Sequence, residues 1–316
     1  MSLLPIPIAL KLFDALIKPI LLYASEVWEP FVKNEPDQWD QNDIEKVYTQ
    51  FLKQILGVNR STTTAMVRGE LNRHSLQEEI LRRNINYARY IQEKEDTCLV
   101  KQAYIYELKR AVDNTTFFST MQKHASQINN MESTAFYPYA DPFENIYQLE
   151  PKRLRMITQE LFHNSWKQKL ESSTKADTYR TFKDNMKFEP YLLHTNRKER
   201  VAMTKLRISD HKLMIEVGRH RNPSIPREER TCYMCNNKVE DELHFLTECR
   251  LYGSKNQYWE MIHTRFPQTT NLDHKGKFIF VMTQEDPEII KLTMKVTREW
   301  QNLRTFLCKY FYQQNE

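Results

Sequence analysis

The stretch that decides the fold is Asp286-Pro-Glu-Ile-Ile290-Lys-Leu-Thr-Met294-Lys-Val-Thr-Arg-Glu-Trp300-Gln-Asn-Leu303-Arg-Thr-Phe306-Leu307-Cys308-Lys-Tyr310. Asp286 has the short acceptor side chain of a helix N-cap, and Pro287 supplies the fixed φ that suits a first helical position. Beyond them Ile290, Met294, Trp300, Leu303, Phe306, Leu307 and Tyr310 recur at helical intervals, which predicts one long amphipathic helix running nearly to the C-terminus.

The same code repeats upstream. Asn42-Asp43 precedes Ile44, Val47, Tyr48, Phe51, Leu52, Ile55 and Leu56, with Gly57 where a C-terminal cap belongs. Ser75-Leu-Gln-Glu78 has the form of a capping box and opens a helix through Leu81, Ile85 and Tyr90. Only five glycines in 316 residues disfavour a hairpin-rich β fold. The expectation is a mainly α protein. Residues 1–112 form one helical region and 113–150 a connection rich in Asn, Thr, Ser, Pro and Tyr. A basic helical region then covers 151–316.

Charged residues make up 28% of the chain and hydrophobic ones 40%, a balance that fits helices with heavily charged outer faces rather than disorder. The net charge of +5 is compatible with an anionic partner without requiring one. Lys11, Asp14 and Lys18 interrupt the apolar N-terminal stretch, so no uncharged run approaches the roughly 20 residues that span a bilayer. That stretch lacks a basic leader and a cleavage-like site, and an odd count of five cysteines argues against a secreted disulfide framework. The reading is an intracellular protein, nuclear or cytoplasmic, with no membrane association.

Three of the five cysteines fall in Cys232-Tyr-Met-Cys235-Asn-Asn-Lys-Val-Glu-Asp-Glu-Leu-His244-Phe-Leu-Thr-Glu-Cys249. Two cysteines separated by two residues wrap both thiolates around one ion from a tight turn, and His244 with Cys249 closes a tetrahedron. Asp241 is placed to cap a short helix that carries His244 inward. A spacing of five sets His244 and Cys249 about 140° apart on an ideal helix, so that helix must loosen before Cys249. Four protein ligands leave no open position, which predicts a structural Zn²⁺ at Cys232, Cys235, His244 and Cys249. Three thiolates with one neutral imidazole leave the centre at −1, which Arg230 and Arg250 stand near enough in sequence to offset. Cys98 and Cys308 lie on apolar helical stretches and read as packing residues.

The approach to this loop is basic, and clustered Lys and Arg neutralise phosphates in a salt-dependent way. Arg207, Lys212, Arg219, Arg221 and Arg230 are the candidate phosphate contacts, with Tyr233 and Tyr252 as candidate stacking platforms for unpaired bases. A solvated helical face accounts for the same charges without any partner.

Several stretches resemble the carboxy-terminal part of a non-long-terminal-repeat (LINE-type) retrotransposon reverse transcriptase. They are Leu12-Phe-Asp-Ala-Leu-Ile-Lys-Pro-Ile-Leu-Leu-Tyr-Ala-Ser-Glu-Val-Trp28, Phe51-Leu-Lys-Gln-Ile-Leu-Gly-Val58 with Arg68-Gly-Glu-Leu71, Lys205-Leu-Arg-Ile-Ser-Asp-His-Lys-Leu-Met-Ile-Glu-Val-Gly-Arg-His220, and Glu240-Asp-Glu-Leu-His-Phe-Leu-Thr-Glu-Cys249. The resemblance implies a thumb-like helical region over 1–112 and a zinc knuckle at 232–249 that handles RNA or target DNA. It also implies that the chain lacks the polymerase palm, whose paired aspartates hold two metal ions. The lookalike Tyr139-Ala-Asp141 is followed by Pro142 and reads as a turn. Some relatives append a nuclease built around a Pro-Asp and a later acidic-x-Lys. After Cys249 there is no Pro-Asp, and Asp286-Pro287 is reversed. Asp273, His274 and Lys277 form such a site only if rearranged, so no nuclease is expected.

Two functional expectations follow. One is a non-catalytic, zinc-stabilised module that binds RNA or single-stranded DNA. The other is a protein-interaction scaffold, or a retroelement fragment without a role of its own, in which zinc serves folding alone. In that second reading Leu10, Phe13, Ile17, Leu21 and Trp28 must bury against something and leave an apolar face for a protein partner.

Overall fold

The computed structural model describes residues 4–28, 36–109, 128, 149–250, 252 and 254–313. Helix accounts for 71% of the described residues. Among the described residues no strand forms; the one β feature is an isolated antiparallel bridge between Thr231 and Val239. The mainly α expectation holds. Among the described residues the helices of seven or more residues are α1 (Ile6–Leu12), α2 (Asp43–Leu56), α3 (Thr64–Leu71), α4 (Leu76–Gln92), α5 (Leu99–Lys109), α6 (Pro151–Glu171), α7 (Arg197–Arg207), α8 (Lys255–Arg265), α9 (His274–Met282) and α10 (Pro287–Gln313).

The chain forms two compact units that interleave along the sequence. The first combines residues 1–9, 50–73 and 169–316, and the second combines 10–49 and 74–168. The expected connection at 113–150, with its Tyr139-Ala-Asp141 turn, lies outside the described residues except for Ile128, Leu149 and Glu150.

In the second unit the four-residue helix Ser25–Trp28 packs on α4. Arg83 donates to the Leu22 carbonyl (2.8 Å) and the Phe13 and Tyr48 rings meet at 5.1 Å. Buried Glu45 gathers three donors on one oxygen: Trp39 Nε1 (2.8 Å), Ser75 Oγ (2.9 Å) and Leu76 N (3.0 Å). A carboxylate brought to the first turn of α4 satisfies an orphan amide and meets the positive end of the helix dipole. The capping box is half realised: Ser75 Oγ accepts from Gln77 N, while Glu78, itself buried, pairs with Arg82.

The N-terminal apolar face differs in phase from the sequence expectation. Leu10 and Phe13 are buried, but Ile17 is exposed, beside a row formed by Leu12, Leu16, Ile20, Tyr23 and Val27. A wide turn at Phe13–Ile17, where the backbone bonds five residues apart instead of four, rotates the stripe away from a regular helix.

In the first unit α7 lies along α10, and Gln301 Nε2 donates to the Ala202 carbonyl. Asp286 Oδ1 caps α10 through Glu288 N (3.0 Å) and Ile289 N (3.1 Å), as its sequence predicts. The buried side of α10 carries Ile289, Thr293, Met294, Val296, Thr297, Trp300 and Arg304, while Leu303 and Phe306 face outward. Phe306 lies about 120° around the helix from Trp300, so both cannot share one core. Gly57 ends α2 at φ +73°, and a Cβ there would meet Val201 Cγ2 at 2.7 Å.

A buried polar node joins α3 to α7. Glu70 accepts from Arg207 Nε (2.7 Å) and Nη2 (3.1 Å), from Tyr191 Oη (2.7 Å) and from Tyr179 Oη (3.0 Å). Arg207 Nη2 also reaches Glu189 Oε2 (3.0 Å), and Glu189 pairs with Lys183. Burial pushes the Glu70 carboxyl up, and the Arg207 guanidinium outweighs it, holding the group below the usual carboxylate range.

Candidate metal centre

Cys232, Cys235, His244 and Cys249 offer one ligand atom each, and all four atoms lie within 4.8 Å of one another. Cys232 Sγ is 3.9 Å from Cys249 Sγ, and Cys235 Sγ is 3.3 Å from His244 Nε2. A tetrahedron with metal–sulfur bonds of about 2.3 Å and metal–nitrogen bonds of about 2.0 Å has edges of roughly 3.5–3.8 Å. The two spacings fall on either side of those edges, so the cluster is compatible with a metal site.

The backbone builds this tetrad in two pieces. The Thr231–Val239 bridge closes a tight loop: Cys232 N donates to Lys238 O (2.8 Å), Asn236 N donates to Cys232 O (2.8 Å), and Asn236 takes a left-handed φ of +50°. Asparagine tolerates that conformation better than most residues. The amides of Met234 and Cys235 point at Cys232 Sγ and lower the cost of charge on that sulfur.

The second piece is the segment after Asp241. Asp241 Oδ1 accepts from His244 N (2.8 Å), confirming the predicted cap. His244–Glu248 then widens into a π-turn, with Cys249 N bonded to His244 O (2.9 Å) and Cys249 in extended backbone. This widening is the loosening that a spacing of five requires.

Glu248 Oε2 lies 3.1 Å from His244 Nδ1. A carboxylate acceptor there fixes the proton on Nδ1 and leaves Nε2, which faces Cys235, as a lone-pair donor for a metal. Glu248 in turn pairs with Lys238 at 3.0 Å. In the metal-free side chains burial lowers the His244 pKa, but Cys232 and Glu248 outweigh it and raise it to about 9. The hydrogen bond from Cys249 and burial together push the Cys232 thiol up to about 12.

The surroundings hold groups that sequence reading did not anticipate. Arg304 grips Glu240 with two 2.6 Å contacts, and Glu240 also accepts from Met214 N (2.7 Å) and lies 3.8 Å from Cys232 Sγ. Glu242 accepts from Ser209 Oγ (2.6 Å), His211 Nε2 (2.8 Å) and Thr178 Oγ1 (2.8 Å). Glu248 stands four residues after His244, an (i, i+4) spacing readable from sequence; Arg304 and Lys255 gave no such signal.

No family model, no curated protein and no solved structure matches this chain. What the tetrad does must be drawn from its own geometry and from the residues around it.

The predicted nucleic-acid contacts separate into two groups. Lys212, Arg221 and Tyr233 are exposed, and Arg221 Nη2 donates to Tyr233 Oη at 3.2 Å. Arg219 is half-buried against Thr174 and Glu216, and Arg230 spends its donors on the Ile225 and Ile215 carbonyls. Arg207 and Tyr252 are corrections. Arg207 is 2% exposed inside the Glu70 node, so its guanidinium is committed to two carboxylates. Tyr252 is 1% exposed, its ring stacked on Trp300 at 5.4 Å and edge-on to Phe245 at 5.1 Å, so no base can reach it.

Arg250 is exposed and Arg230 bonds to backbone, whereas buried Lys255 stands close to the cysteines. Asp273 caps α9 through Gly276 N (2.7 Å), and Lys277 lies over the Trp259 ring. Among the described residues no helix is long and apolar enough to cross a membrane.

Proposed function

We propose that the chain is a non-catalytic helical module stabilised by one structural Zn²⁺, and that its metal-stapled loop presents a basic, aromatic edge to RNA or single-stranded DNA. The observation that carries the reading is the closed tetrad, in which all four positions are protein atoms and Glu248 orients the His244 ring. Zinc held this way offers no site for water or substrate, and its contribution is to folding, about 10–16 kcal/mol for isolated zinc-finger peptides. The loop it orders carries exposed Tyr233, to which Arg221 donates from the preceding segment, a pairing of a cation with a π-face suited to a strand of unpaired bases, and Lys212 is exposed further upstream. On this reading the module corresponds to the thumb and knuckle of a LINE-type reverse transcriptase.

Metal analysis of purified protein tests the first half: one zinc per chain, lost in Cys235→Ser, is expected, and a metal-free unmutated protein would overturn it. Titration with single-stranded RNA at two salt concentrations tests the second. Affinity should fall steeply with salt and weaken in Arg221→Ala and Tyr233→Ala, while binding indifferent to both refutes it.

The exposed row Leu12, Leu16, Ile20, Tyr23 and Val27 supports the scaffold reading. In that case Ile20→Asp would abolish capture of a protein partner and leave RNA titration flat in every variant.

A further inference from the structure

Lys255 sits at the start of α8 and is only 6% exposed. Its ammonium donates to the Phe245 carbonyl (2.8 Å), the residue that follows the ligand His244. The Trp300 and Tyr252 rings cover it at 5.0 and 5.2 Å. Among the described residues no carboxylate lies within ion-pair distance of it. A buried ammonium with one carbonyl and two ring faces is short of countercharge, because desolvation costs several kcal/mol and burial normally demands an anion. Arg304 does not share this deficit, since Glu240 neutralises it. The Tyr252 hydroxyl beside these groups is buried without a hydrogen-bond partner.

The ligand set supplies that countercharge, with Glu248 adding to it. A divalent ion with three thiolates and one imidazole carries −1; burial lowers the Lys255 pKa to about 8, and Cys249, Cys232, Glu248 and Cys235 act in the opposite direction, favouring its charged form. We propose that Lys255 is the built-in counter-ion of the metal centre, so that the fold selects a singly negative metal–trithiolate complex over a neutral or doubly negative one. The proposal rests on the zinc reading above and goes beyond it, since it assigns a positioning role to a residue outside the tetrad and a charge to the loaded site.

The role predicts a reversal that simple packing does not. With metal removed the charge of the metal–trithiolate complex is gone and Lys255 keeps only the Phe245 carbonyl and the two ring faces as near neighbours, so Lys255→Met should leave the metal-free protein as stable as the unmutated chain, or more so. With zinc bound the same substitution removes the countercharge and should weaken zinc affinity by about 10–100-fold, the range typical of outer-shell partners. The experiment follows zinc affinity by competition with a chromophoric chelator, and thermal melting with zinc and with excess chelator. A second background supplies the charge test. Cys235→His makes the centre neutral, and there Lys255→Met should cost less than twofold in zinc affinity.

Zinc affinity of Lys255→Met within twofold of the unmutated chain would overturn the proposal. So would an equal loss in the Cys235→His background, or parallel destabilisation of the metal-free and zinc-bound forms, including failure of Lys255→Met to fold. An unmutated protein that takes up no zinc refutes the zinc reading instead, so the two failures are distinguishable.

Discussion

Replacing Arg207 with methionine is the sharpest test of how the first unit is held together. The side chain keeps most of its volume but loses the cation that grips Glu70 at 2.7 and 3.1 Å and reaches Glu189 at 3.0 Å. Glu189 retains Lys183 as a direct partner, whereas Glu70 keeps only two tyrosine hydroxyls as hydrogen-bond donors and the longer-range pull of Lys183 in a buried site. Removing one partner of a buried pair costs about 3–5 kcal/mol, because the remaining charge stays desolvated. With a urea slope of about 2 kcal/mol/M, the midpoint should fall by roughly 2 M.

The pH dependence carries a sign. In the unmutated protein Glu70 has its pKa lowered on folding, so its contribution is present above the usual carboxylate range and is lost as pH falls through the folded value. In Arg207→Met burial acts with its main opponent gone, so the carboxyl takes up a proton more readily when folded. The deficit should therefore shrink between pH 7 and pH 5. Far-UV circular dichroism over a urea series at both pH values is the assay. A loss below about 1 kcal/mol at pH 7, or a deficit that grows on acidification, would refute the argument that Glu70 depends on Arg207. The double substitution Glu70→Gln, Arg207→Met leaves no lone charge and should be milder than Arg207→Met alone.

Other outcomes follow from single contacts. Glu248→Ala frees the His244 Nδ1 proton and should weaken zinc binding about 10–100-fold in chelator competition, with Lys238→Ala having a smaller effect. Gly57→Ala sets a Cβ 2.7 Å from Val201 Cγ2 on a backbone at φ +73°, and should cost about 1–3 kcal/mol in urea unfolding. A Val201→Ala partner change should recover part of that loss by clearing the methyl, leaving only the backbone strain. Removing zinc with a strong chelator should expose the segment from Leu213 to Tyr252 to faster amide exchange while α4 and its Glu45 cap, in the second unit, stay protected.

Most helices were legible because their signals are local. Asp286-Pro287 carries its own cap, Gly57 its own left-handed turn, and the Cys-x2-Cys spacing its own chelate bite. What sequence could not supply was phase and pairing. Leu303 and Phe306 look core-like by composition, yet α10 turns Thr297 and Arg304 inward, because Arg304 has a carboxylate waiting 64 residues away. Arg207 reads as one cation in a basic run until Glu70, 137 residues upstream, is seen to claim it. Tyr252 reads as an edge aromatic until Trp300 stacks on it. In each case a long-range partner overrode a pattern that was sound for an isolated helix.

The interleaved order of the two units carries its own consequence for how this chain would respond to cutting. Residues 50–73 belong with 169–316 although 95 residues intervene, and Asn59 is tied to Asp210 while Glu70 is tied to Arg207. A nick anywhere between 74 and 168 severs the polymer without severing that unit. The two fragments should co-elute until denaturant separates them, and, mixed afresh, should find each other again as complementary halves of one body.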